Sequence, residues 1–404
     1  MLFSANAVSL VRNALEGQKA TFRVYRVTLL AMSALSENIN SFRTSRIALI
    51  VDDFSETRRA ILVSPAIDAD AQLINRLLTM ALSVCFVAVS PQRAQALRLS
   101  PMKRVTHRIG GAQAPLSMCI SVEAREHVTT GISAQDRAVT VRILGEREPM
   151  ARKLVQPGHI FPIEVRSGGV LVRAALPEAA HDLCVLSGYT DAALFLDLLN
   201  AEGNCMSREE QQALSAREHI PEILLSELIE YRLSREPIVS RIAEARLPTQ
   251  FDEHLTAVSY TSLLDKTEHL AIIHGEPQNA PSCLVRVHVE ATVSDVFGGN
   301  ASSTREQLHT ALRAITQQKA GVLVYLRRGE NNSPRKPEKD VDSDETTATI
   351  TRPAMMRDYG MGAQILRDLG VTRATILSNS VSSLLGLDSF GITVIGTQRL
   401  DGNK

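Results

Sequence analysis

Apolar runs and helically spaced apolar positions alternate through the first 200 residues. The run RIALIVDD (46–53) ends in two acids and predicts a buried strand that leads into a loop. Residues 71–82 carry apolar side chains at helical spacing, and SVCFVAV (83–89) predicts a second buried strand. A helix is predicted to follow from Pro91, because proline is favoured in the first helical turn. This alternation predicts an α/β fold for the first half of the chain.

A second structured region is predicted after residue 220. Residues 221–254 predict a helix and then a connector into a strand-rich region. Four strands are predicted there, at LAIIHG, CLVRVHVEA, GVLVYLR and RATILS. A helix is predicted at 304–319, where Gly321 suits a C-terminal cap, and another helix is predicted to end at Gly370.

These patterns predict two consecutive mixed-sheet domains of the α/β (α+β) class. We place the domains at 41–245 and 246–404, after an N-terminal extension over 1–40. The extension carries basic residues before the apolar run VTLLAMSAL, an order that resembles a signal peptide. Its basic region is long and its apolar run starts late, which favours an amphipathic or poorly ordered extension. Residues 327–353 contain few large apolar groups and predict a surface loop.

Charge and cysteine content narrow the classes of function. The chain of 404 residues has 44 basic and 44 acidic side chains, a balance that gives no support to general binding of nucleic acid or anionic membranes. Five cysteines without a CxxC pair argue against a disulfide framework or a structural zinc site, and they fit a reducing cytoplasm. No apolar run reaches the roughly 18 residues that a membrane span needs.

Long segments of the chain resemble the bifunctional riboflavin-biosynthesis proteins. That family joins 3,4-dihydroxy-2-butanone 4-phosphate synthase to GTP cyclohydrolase II. The synthase-like segments are SVEAREHVTTGISAQDRAVTVR, VQPGHIFPIEVRSGGVL and IAEARLPT. The cyclohydrolase-like segments are CLVRVHVEATVSDVFG, GVLVYLR and MRDYGMGAQILRDLGV. The resemblance runs from about residue 40 to the end of the chain, in the family's order.

The zinc-binding cysteines of the family are absent from the matching segment. Their three positions hold Ala291, Ser302 and Thr304, and neither an alanine nor a neutral hydroxyl replaces a zinc-bound thiolate. His288 lies nearby on an alternating strand, where a structural role is favoured over zinc binding. Cys283 is interpreted as a small buried apolar residue.

The nucleotide site of the cyclohydrolase-like half is also altered. The family's D-L-R-D-Y-G motif becomes MMRDYG, so that its acidic proton-transfer residue is Met355. Arg357 matches the arginine that the family uses at the phosphate, and it is a candidate residual catalytic residue. An ion pair with Asp358 or a nearby glutamate is an equally good interpretation of Arg357.

The magnesium site of the synthase-like half is altered in the same way. The family's loop D-D-E-D-R-E-N-E-G-D reads DDFSETRRAI, which keeps Asp52 and Asp53. The downstream acids become Thr57, Arg59 and Ile61. An arginine in place of a metal-binding carboxylate repels a cation.

A second synthase motif, G-H-T-E-A-x-x-D-L, appears as ALPEAAHDL. Its metal-binding histidine is Leu176, and His181 lies five positions along and is disfavoured as a substitute ligand. Glu178 and Asp182 are kept. The resemblance makes Glu178 a candidate residual catalytic residue, although hydrogen-bonding or capping roles explain both acids equally well.

The sugar-phosphate segments are kept more closely than the metal sites. The resemblance implies that six polar residues line a sugar-phosphate pocket: Arg125, Thr129, Thr130, Ser133, Asp136 and His159. Hydroxyls and arginine suit phosphate binding. The alternative is that this loop only preserves the geometry of the fold.

The sequence therefore predicts a catalytically silent or impaired paralogue of the bifunctional enzyme, acting in flavin metabolism. It would bind a sugar phosphate or nucleotide, or a partner protein, in the cytoplasm. The family uses Mg²⁺ and Zn²⁺, whereas no cofactor is expected for this chain. Binding to nucleic acid or to a membrane is not expected either. Since the family's synthase half dimerises, a homodimer or a heterodimer with an active paralogue is expected. The alternative is an enzyme with residual synthase activity on ribulose 5-phosphate; GTP cyclohydrolase II activity is less favoured.

Overall fold

The computed structural model describes residues 35–102, 116–298, 304–328, 352–379 and 387–400. Most of the predicted extension (1–40), nearly all of the predicted loop (327–353) and the zinc-ligand position Ser302 lie outside these ranges. The chain divides into two compact units, which we call the first unit (Met32–Tyr231) and the second unit (Arg232–Lys404). Each unit is built on one mixed sheet, as the sequence predicted.

The first unit alternates strands and helices. After a helix α1 over 35–45, its strands are β1 Ala48–Val51, β2 Ala60–Pro65, β3 Phe86–Val89, β4 Ser117–Met118, β5 Val122–Ala124, β6 Leu154–Glu164, β7 Ala192–Asp197 and β8 Glu222–Leu224. Its remaining helices are α2 Ala71–Ala81, α3 Pro91–Ala96, α4 Ala134–Gly145, α5 Leu176–Leu186 and α6 Arg208–Glu218, and α7 Leu225–Arg235 follows. The predicted strands at 46–53 and 83–89 and the helices at 71–82 and Pro91 are confirmed.

The two faces of the sheet in the first unit carry different side chains. The strand order is β4-β6-β3-β7-β2-β1-β8, and β5 pairs with β6. On one face, Leu49, Leu62 and Leu194 belong to a buried core with apolar residues of α2 and α4. Because side chains alternate along a strand, Phe86 and Phe195 lie on the other face, where their rings stack at 5.3 Å.

The second unit carries a seven-stranded sheet in the order β15-β14-β12-β13-β11-β10-β9. The strands are β9 Val239–Arg246, β10 Thr256–Ser262, β11 Glu268–Gly275, β12 Cys283–Val289, β13 Ala320–Leu326, β14 Arg373–Leu377 and β15 Thr393–Gln398. The helices are α8 Thr292–Phe297, α9 Thr304–Thr316 and α10 Arg352–Asp368. Strands β12, β13, β14 and β15 run parallel, whereas β9, β10 and β11 are antiparallel. No helix in the described ranges is long and apolar enough to cross a membrane.

Two sequence predictions in the second unit are wrong. The connector that was predicted after the helix within residues 221–254 contains β9, an edge strand that pairs with β10. Gly321 lies inside β13 rather than at a helix cap. A β-carbon on Gly321 would come within 2.7 Å of Ile315 Cγ2, so the glycine allows α9 to pack closely on the sheet.

Candidate functional site

Two acids follow β1 at the position of the family's magnesium loop, and both accept hydrogen bonds from the backbone. Asp52 Oδ1 accepts from the backbone N–H groups of Phe54 (3.1 Å) and Ser55 (3.3 Å). Asp53 Oδ1 accepts from the N–H of Ser226, 3.0 Å away in the first turn of α7. Burial raises the pKa of Asp52, although these N–H groups act in the opposite direction. The two carboxylates therefore hold the loop and the start of α7 in place.

The position of a family metal ligand is occupied by a cation that forms an ion pair. Arg59 Nη2 lies 2.8 Å from Asp197 Oδ1, at the end of β7. Thr57, another ligand position, has its hydroxyl 3.3 Å from that of Ser55. Ile61, the third altered acid of the loop, is fully buried in β2.

Helix α5 carries the second altered metal position and the candidate catalytic glutamate. Leu176, its first residue, is buried. Glu178 is fully buried, and its Oε1 lies 2.5 Å from Arg173 Nη2 and accepts from the N–H of Arg166 at 3.0 Å. Burial raises the pKa of Glu178, against the opposing effect of Arg173. These contacts give Glu178 a hydrogen-bonding role in the folded chain.

The other retained acid of α5 holds a neighbouring turn. Asp182 Oδ2 accepts from the N–H of Val170 at 2.8 Å, and His181 Nδ1 lies 3.2 Å from Asp182 Oδ1. Gly169 has φ +57° and lies against this carboxylate, where a β-carbon would come within 2.2 Å of Asp182 Oδ1. Asp182 thus holds a turn whose positive φ and close packing both favour glycine.

The predicted sugar-phosphate loop brings three of its candidate residues together before α4. Asp136 is buried, and its Oδ2 accepts from Thr129 Oγ1 (2.8 Å) and from the N–H of Gly131 (3.0 Å). Ser133 is the N-cap of α4, where its hydroxyl accepts from the N–H of Asp136 at 3.1 Å. The hydrogen bond from Thr129 is the main reason that the pKa of Asp136 is lowered.

A fourth candidate, His159, joins this loop through a glutamate that the sequence analysis did not identify. His159 Nδ1 lies 2.7 Å from Oε2 of Glu123, whose Oε1 accepts from Thr140 Oγ1 at 2.9 Å. A β-carbon on Gly131 would come within 1.9 Å of that Oε2 and 2.6 Å of His159 Nδ1. The backbone of the loop therefore packs directly on the His159–Glu123 pair. The sequence did offer one signal for Glu123: it is an acidic residue on the short strand β5, which comes before the VTTG segment.

Two further candidates lie on the surface of the same segment. Arg125 is exposed and its Nε donates to the carbonyl of Arg152 at 2.9 Å, which fixes the direction of the guanidinium. Thr130 is exposed beside Thr129. The described structure thus gathers Thr129, Ser133, Asp136 and His159 around Gly131.

The zinc position of the second unit is occupied by a hydrogen-bond network centred on one carboxylate. Asp295 Oδ2 accepts from Tyr325 Oη and from the N–H of Ala291, both at 2.9 Å. His288 Nε2 lies 3.1 and 3.2 Å from the two oxygens of Asp295, and its ring stacks on Tyr325. Burial alone would raise the pKa of Asp295, but hydrogen bonds from Thr304, Ala291 and Tyr325 lower it. The backbone N–H of one ligand position, Ala291, therefore takes part in this network.

Arg357 lies on α10 among acidic groups. It attracts Asp265 and Asp358 electrostatically, and Asp265 also accepts from the N–H of Thr267 at 3.1 Å. Burial raises the pKa of Asp358 to about 6, despite the opposing charges of Arg357 and Arg328. The ion pair with Asp358 and the role at a phosphate both stay predictions for Arg357.

The residues at the family's metal positions do not fit the metals that the family uses. Magnesium takes oxygen ligands, whereas Arg59 offers a positive charge and Leu176 a buried hydrocarbon. Zinc in such sites takes thiolates or imidazoles, whereas Ala291 has no donor atom in its side chain and Thr304 offers only a neutral hydroxyl. In the ranges that the structure describes, no three His, Cys, Asp or Glu residues form a group that could hold a metal ion.

Both units match known families over most of their length. Residues 36–231 match the family of 3,4-dihydroxy-2-butanone 4-phosphate synthase, and residues 240–399 match that of GTP cyclohydrolase II. The riboflavin biosynthesis protein RibBA of Aquifex aeolicus is 32% identical over 90% of this chain and 91% of its own. The monofunctional riboflavin biosynthesis protein RIBA 2, chloroplastic, of Arabidopsis thaliana is 31% identical over 90% of this chain and 76% of its own.

A solved structure covers both units together. The two-domain 3,4-dihydroxy-2-butanone 4-phosphate synthase RibBX from A. baumannii superposes with a TM-score of 0.71 at 26% identity, covering 90% of this chain and 98% of that chain. With both family matches in order along one sequence, the chain belongs to the RibBA-like riboflavin biosynthesis family, as a synthase domain followed by a GTP cyclohydrolase II-like domain.

Proposed function

We propose that this protein is a catalytically silent or impaired paralogue of the bifunctional riboflavin-biosynthesis enzyme, and that it binds a sugar phosphate in the cytoplasm. The observation that carries the proposal is the ion pair between Arg59 and Asp197, 2.8 Å apart. It puts a guanidinium at a position where the family needs a carboxylate for Mg²⁺. The buried Leu176 at the second ligand position supports the same conclusion.

The binding role is supported by the polar residues around Gly131. Thr129, Asp136 and His159 are held by short hydrogen bonds, so the loop is ordered before any ligand arrives. Side-chain hydroxyls and an imidazole in a preformed loop are suitable donors for a phosphate group. His159 is 45% exposed in its side chain and is accessible to a ligand.

The test is an assay of turnover and binding on the same preparation. With Mg²⁺ and ribulose 5-phosphate, formate release should equal that of a blank, whereas calorimetry should detect binding of the sugar phosphate. His159→Ala should weaken that binding at least about tenfold, the size expected from losing one charge-assisted hydrogen bond. Gln135→Ala changes an exposed residue of α4 and should leave binding unchanged. Formate release above the blank, or no binding by the wild type, would contradict the proposal.

A second candidate function is residual 3,4-dihydroxy-2-butanone 4-phosphate synthase activity without cyclohydrolase activity. It is favoured by the hydrogen-bonded Glu123–His159 pair and by the similarity to RibBX, a two-domain protein named as a synthase. In that case formate release should be measurable and should fall to background in both Glu123→Gln and His159→Ala. GTP turnover should stay at the level of the blank.

We further propose that the protein acts as a homodimer or as a heterodimer with an active paralogue. The support is the resemblance, since the synthase half of the family dimerises, and the apolar side chain of Ile132, which is 56% exposed next to Ser133, is the contact to be tested. Light scattering on the purified protein should give the mass of a dimer. Ile132→Glu should shift the protein towards the monomer, whereas Gln135→Glu should not. A monomeric wild type would contradict the homodimer. The heterodimer would then be tested by co-purification with an active paralogue, and failure to co-purify would contradict it as well.

A further inference from the structure

A carboxylate and an imidazole meet where β5 pairs with β6, and only the imidazole is widely open to solvent. Glu123 lies in the middle of β5, and its side chain is 11% exposed. His159 lies in β6, and its side chain is 45% exposed. The distance from His159 Nδ1 to Glu123 Oε2 is 2.7 Å, which is typical of a charge-assisted hydrogen bond. The pair therefore joins a buried carboxylate to a ring that reaches the surface.

The carboxylate of Glu123 is also held through its second oxygen. Its Oε1 accepts a hydrogen bond from Thr140 Oγ1 at 2.9 Å, and Thr140 is fully buried in α4. The same hydroxyl accepts from the backbone N–H of Ala124 at 3.0 Å. Because each oxygen of the carboxylate has its own donor, Oε2 stays directed at His159. The position of Glu123 is therefore fixed by β5 and α4 before any ligand binds.

The absence of a side chain at Gly131 leaves room for this contact. A β-carbon there would come within 1.9 Å of Glu123 Oε2 and 2.6 Å of His159 Nδ1. The N–H of Gly131 donates to Asp136 Oδ2 at 3.0 Å, which keeps the loop backbone against the pair. The loop thus covers the Nδ1 side of the ring, and a ligand must approach the ring from elsewhere.

Glu123 determines which nitrogen of His159 carries a proton. An ionised carboxylate only accepts hydrogen bonds, so the proton between Nδ1 and Oε2 belongs to the ring. The neutral ring then has its lone pair on Nε2, and the protonated ring has its second N–H there. Nε2 has no hydrogen-bond partner in the part of the chain that the structure describes. It is therefore the nitrogen that remains for a ligand.

We propose that Glu123 is the positioning residue of His159, which holds the imidazole in its Nδ1–H tautomer and presents Nε2 to the ligand. This inference rests on the proposed sugar-phosphate site and names the atom of His159 that binds. In the protonated ring, Nε2–H donates to an oxygen of the phosphate group, and the buried carboxylate behind the ring stabilises the positive charge. Glu123 acts only through His159 and does not touch the ligand.

The first measurement is the tautomer of His159 in the full chain without ligand. Long-range ¹H–¹⁵N NMR spectra at alkaline pH distinguish the protonated ring nitrogen from the other, and His159→Ala identifies the signals of His159 among the ten histidines. The wild type should show the Nδ1–H tautomer, although Nε2–H is the commoner form of free histidine. Glu123→Ala removes the acceptor and should shift His159 towards the Nε2–H form.

Two results of this measurement would overturn the proposal. One is an Nε2–H tautomer of His159 in the wild type, and the other is an unchanged tautomer in Glu123→Ala. If Glu123→Ala does not fold, the wild-type spectrum alone decides, because the proposal requires the Nδ1–H form there.

Asp252→Ala is the matched control, because the second unit contains a pair of the same kind. His274 Nδ1 lies 2.6 Å from Asp252 Oδ2. Asp252→Ala should change the signals of His274 and leave those of His159 as in the wild type.

The second measurement is the binding of ribulose 5-phosphate by calorimetry. Glu123→Ala should bind at least about tenfold more weakly than the wild type, because a charge-assisted hydrogen bond from His159 loses its direction. Asp252→Ala should bind like the wild type. Equal affinities of Glu123→Ala and the wild type would overturn the proposal. If the wild type itself does not bind the sugar phosphate, the proposed function fails, whereas the tautomer of His159 still decides the role of Glu123.

Discussion

Asp295 is the residue on which the altered zinc region of the second unit depends. Its side chain is only 4% exposed and accepts hydrogen bonds from Tyr325 and the backbone of Ala291, with His288 at hydrogen-bonding distance. A buried donor left without a partner costs about 1–3 kcal/mol. The network therefore links β12, β13 and α8 through one carboxylate.

Replacing Asp295 should destabilise the second unit strongly. Asp295→Ala leaves His288 and Tyr325 without their acceptor and should cost about 3 kcal/mol at pH 7, by urea unfolding. Tyr325→Phe removes one donor and should cost only about 1 kcal/mol. Because the folded-state pKa of Asp295 is lowered, its contribution is complete above the ordinary aspartate pKa of 3.8 and is lost as pH falls through the folded value. A pH-independent cost would contradict this account.

Asp358 should have the opposite dependence on pH. Burial raises its pKa from 3.8 to about 6, so the folded chain binds more protons than the unfolded chain between these values. Stability should therefore fall as pH rises from about 4 to about 6. Asp358→Asn should stabilise the protein by about 2–3 kcal/mol at pH 7 and have little effect below pH 4. Urea unfolding at both pH values tests this, and equal effects at both would contradict it.

Single residues show how far the sequence could identify the site. Asp136, Thr129 and Ser133 are close in sequence and in space, so the resemblance of one short segment to the family was sufficient to group them. Glu123 and His159 are 36 positions apart and meet because β5 pairs with β6. The partner of Arg59 was likewise hidden, since Asp197 is reached only through the pairing of β2 with β7.

Elements were predictable where their pattern was local and regular. The buried strands and the helix at 71–82 follow from apolar spacing alone, and α3 begins at Pro91 as expected. Strand β9 was missed because its side chains are largely exposed along an edge, which removes the apolar signal. Gly321 was misassigned because a glycine after a helix fits both a cap and a close helix–sheet contact.

Helix α5 should be stabilised by a better N-cap. Ala175 occupies that position with extended backbone and makes no side-chain hydrogen bond, although its φ of −142° and ψ of 156° suit a serine. Ala175→Ser should raise the free energy of unfolding by about 1 kcal/mol. Ser207→Ala is the comparison, because Ser207 forms a capping box with Glu210 in α6 and its loss should cost about the same. No gain from Ala175→Ser would show that the start of α5 is held by other contacts.

Restoring one metal position should not restore synthase activity. Leu176→His supplies an imidazole, but Arg59 keeps a positive charge at another ligand position. Two unit charges about 4 Å apart interact by roughly 4 kcal/mol at an effective dielectric near 20. Formate release should therefore stay at background in Leu176→His, and activity in this variant would favour the enzyme alternative.

Restoring all three acids of the family's magnesium loop, at Thr57, Arg59 and Ile61, is limited by the burial of one of these positions. Thr57→Glu and Arg59→Glu change a partly exposed loop, whereas Ile61 is fully buried opposite Asp197. Ile61→Asp would bury a carboxylate opposite that of Asp197 and should cost about 3–5 kcal/mol. The variant to compare with Leu176→His is therefore Thr57→Glu, Arg59→Glu and Leu176→His with Ile61 unchanged.

At the scale of the whole molecule, both units keep the family's sheet, while the positions of the family's metal ligands hold residues that do not bind those metals. In the first unit an arginine paired with Asp197 stands at a magnesium position. In the second unit the backbone N–H of Ala291 donates to a hydrogen-bond network around Asp295. The two changes lie in separate sheets, so one local rearrangement does not explain both. The proposed loss of catalytic function in the whole chain would account for both changes.

The whole chain should therefore carry no stoichiometric zinc, and GTP turnover should be at background. A zinc-bound water is the nucleophile that such a site supplies, and it needs three protein ligands to hold the ion. Mass spectrometry of the dialysed protein should find far less than one zinc per chain. The matched variant carries Ala291→Cys, Ser302→Cys and Thr304→Cys, and it should gain one zinc because three thiolates are restored. Zinc near one per wild-type chain, lost when residues 250–404 are deleted, would show that other residues of the second unit bind the ion and that its cyclohydrolase chemistry is still available.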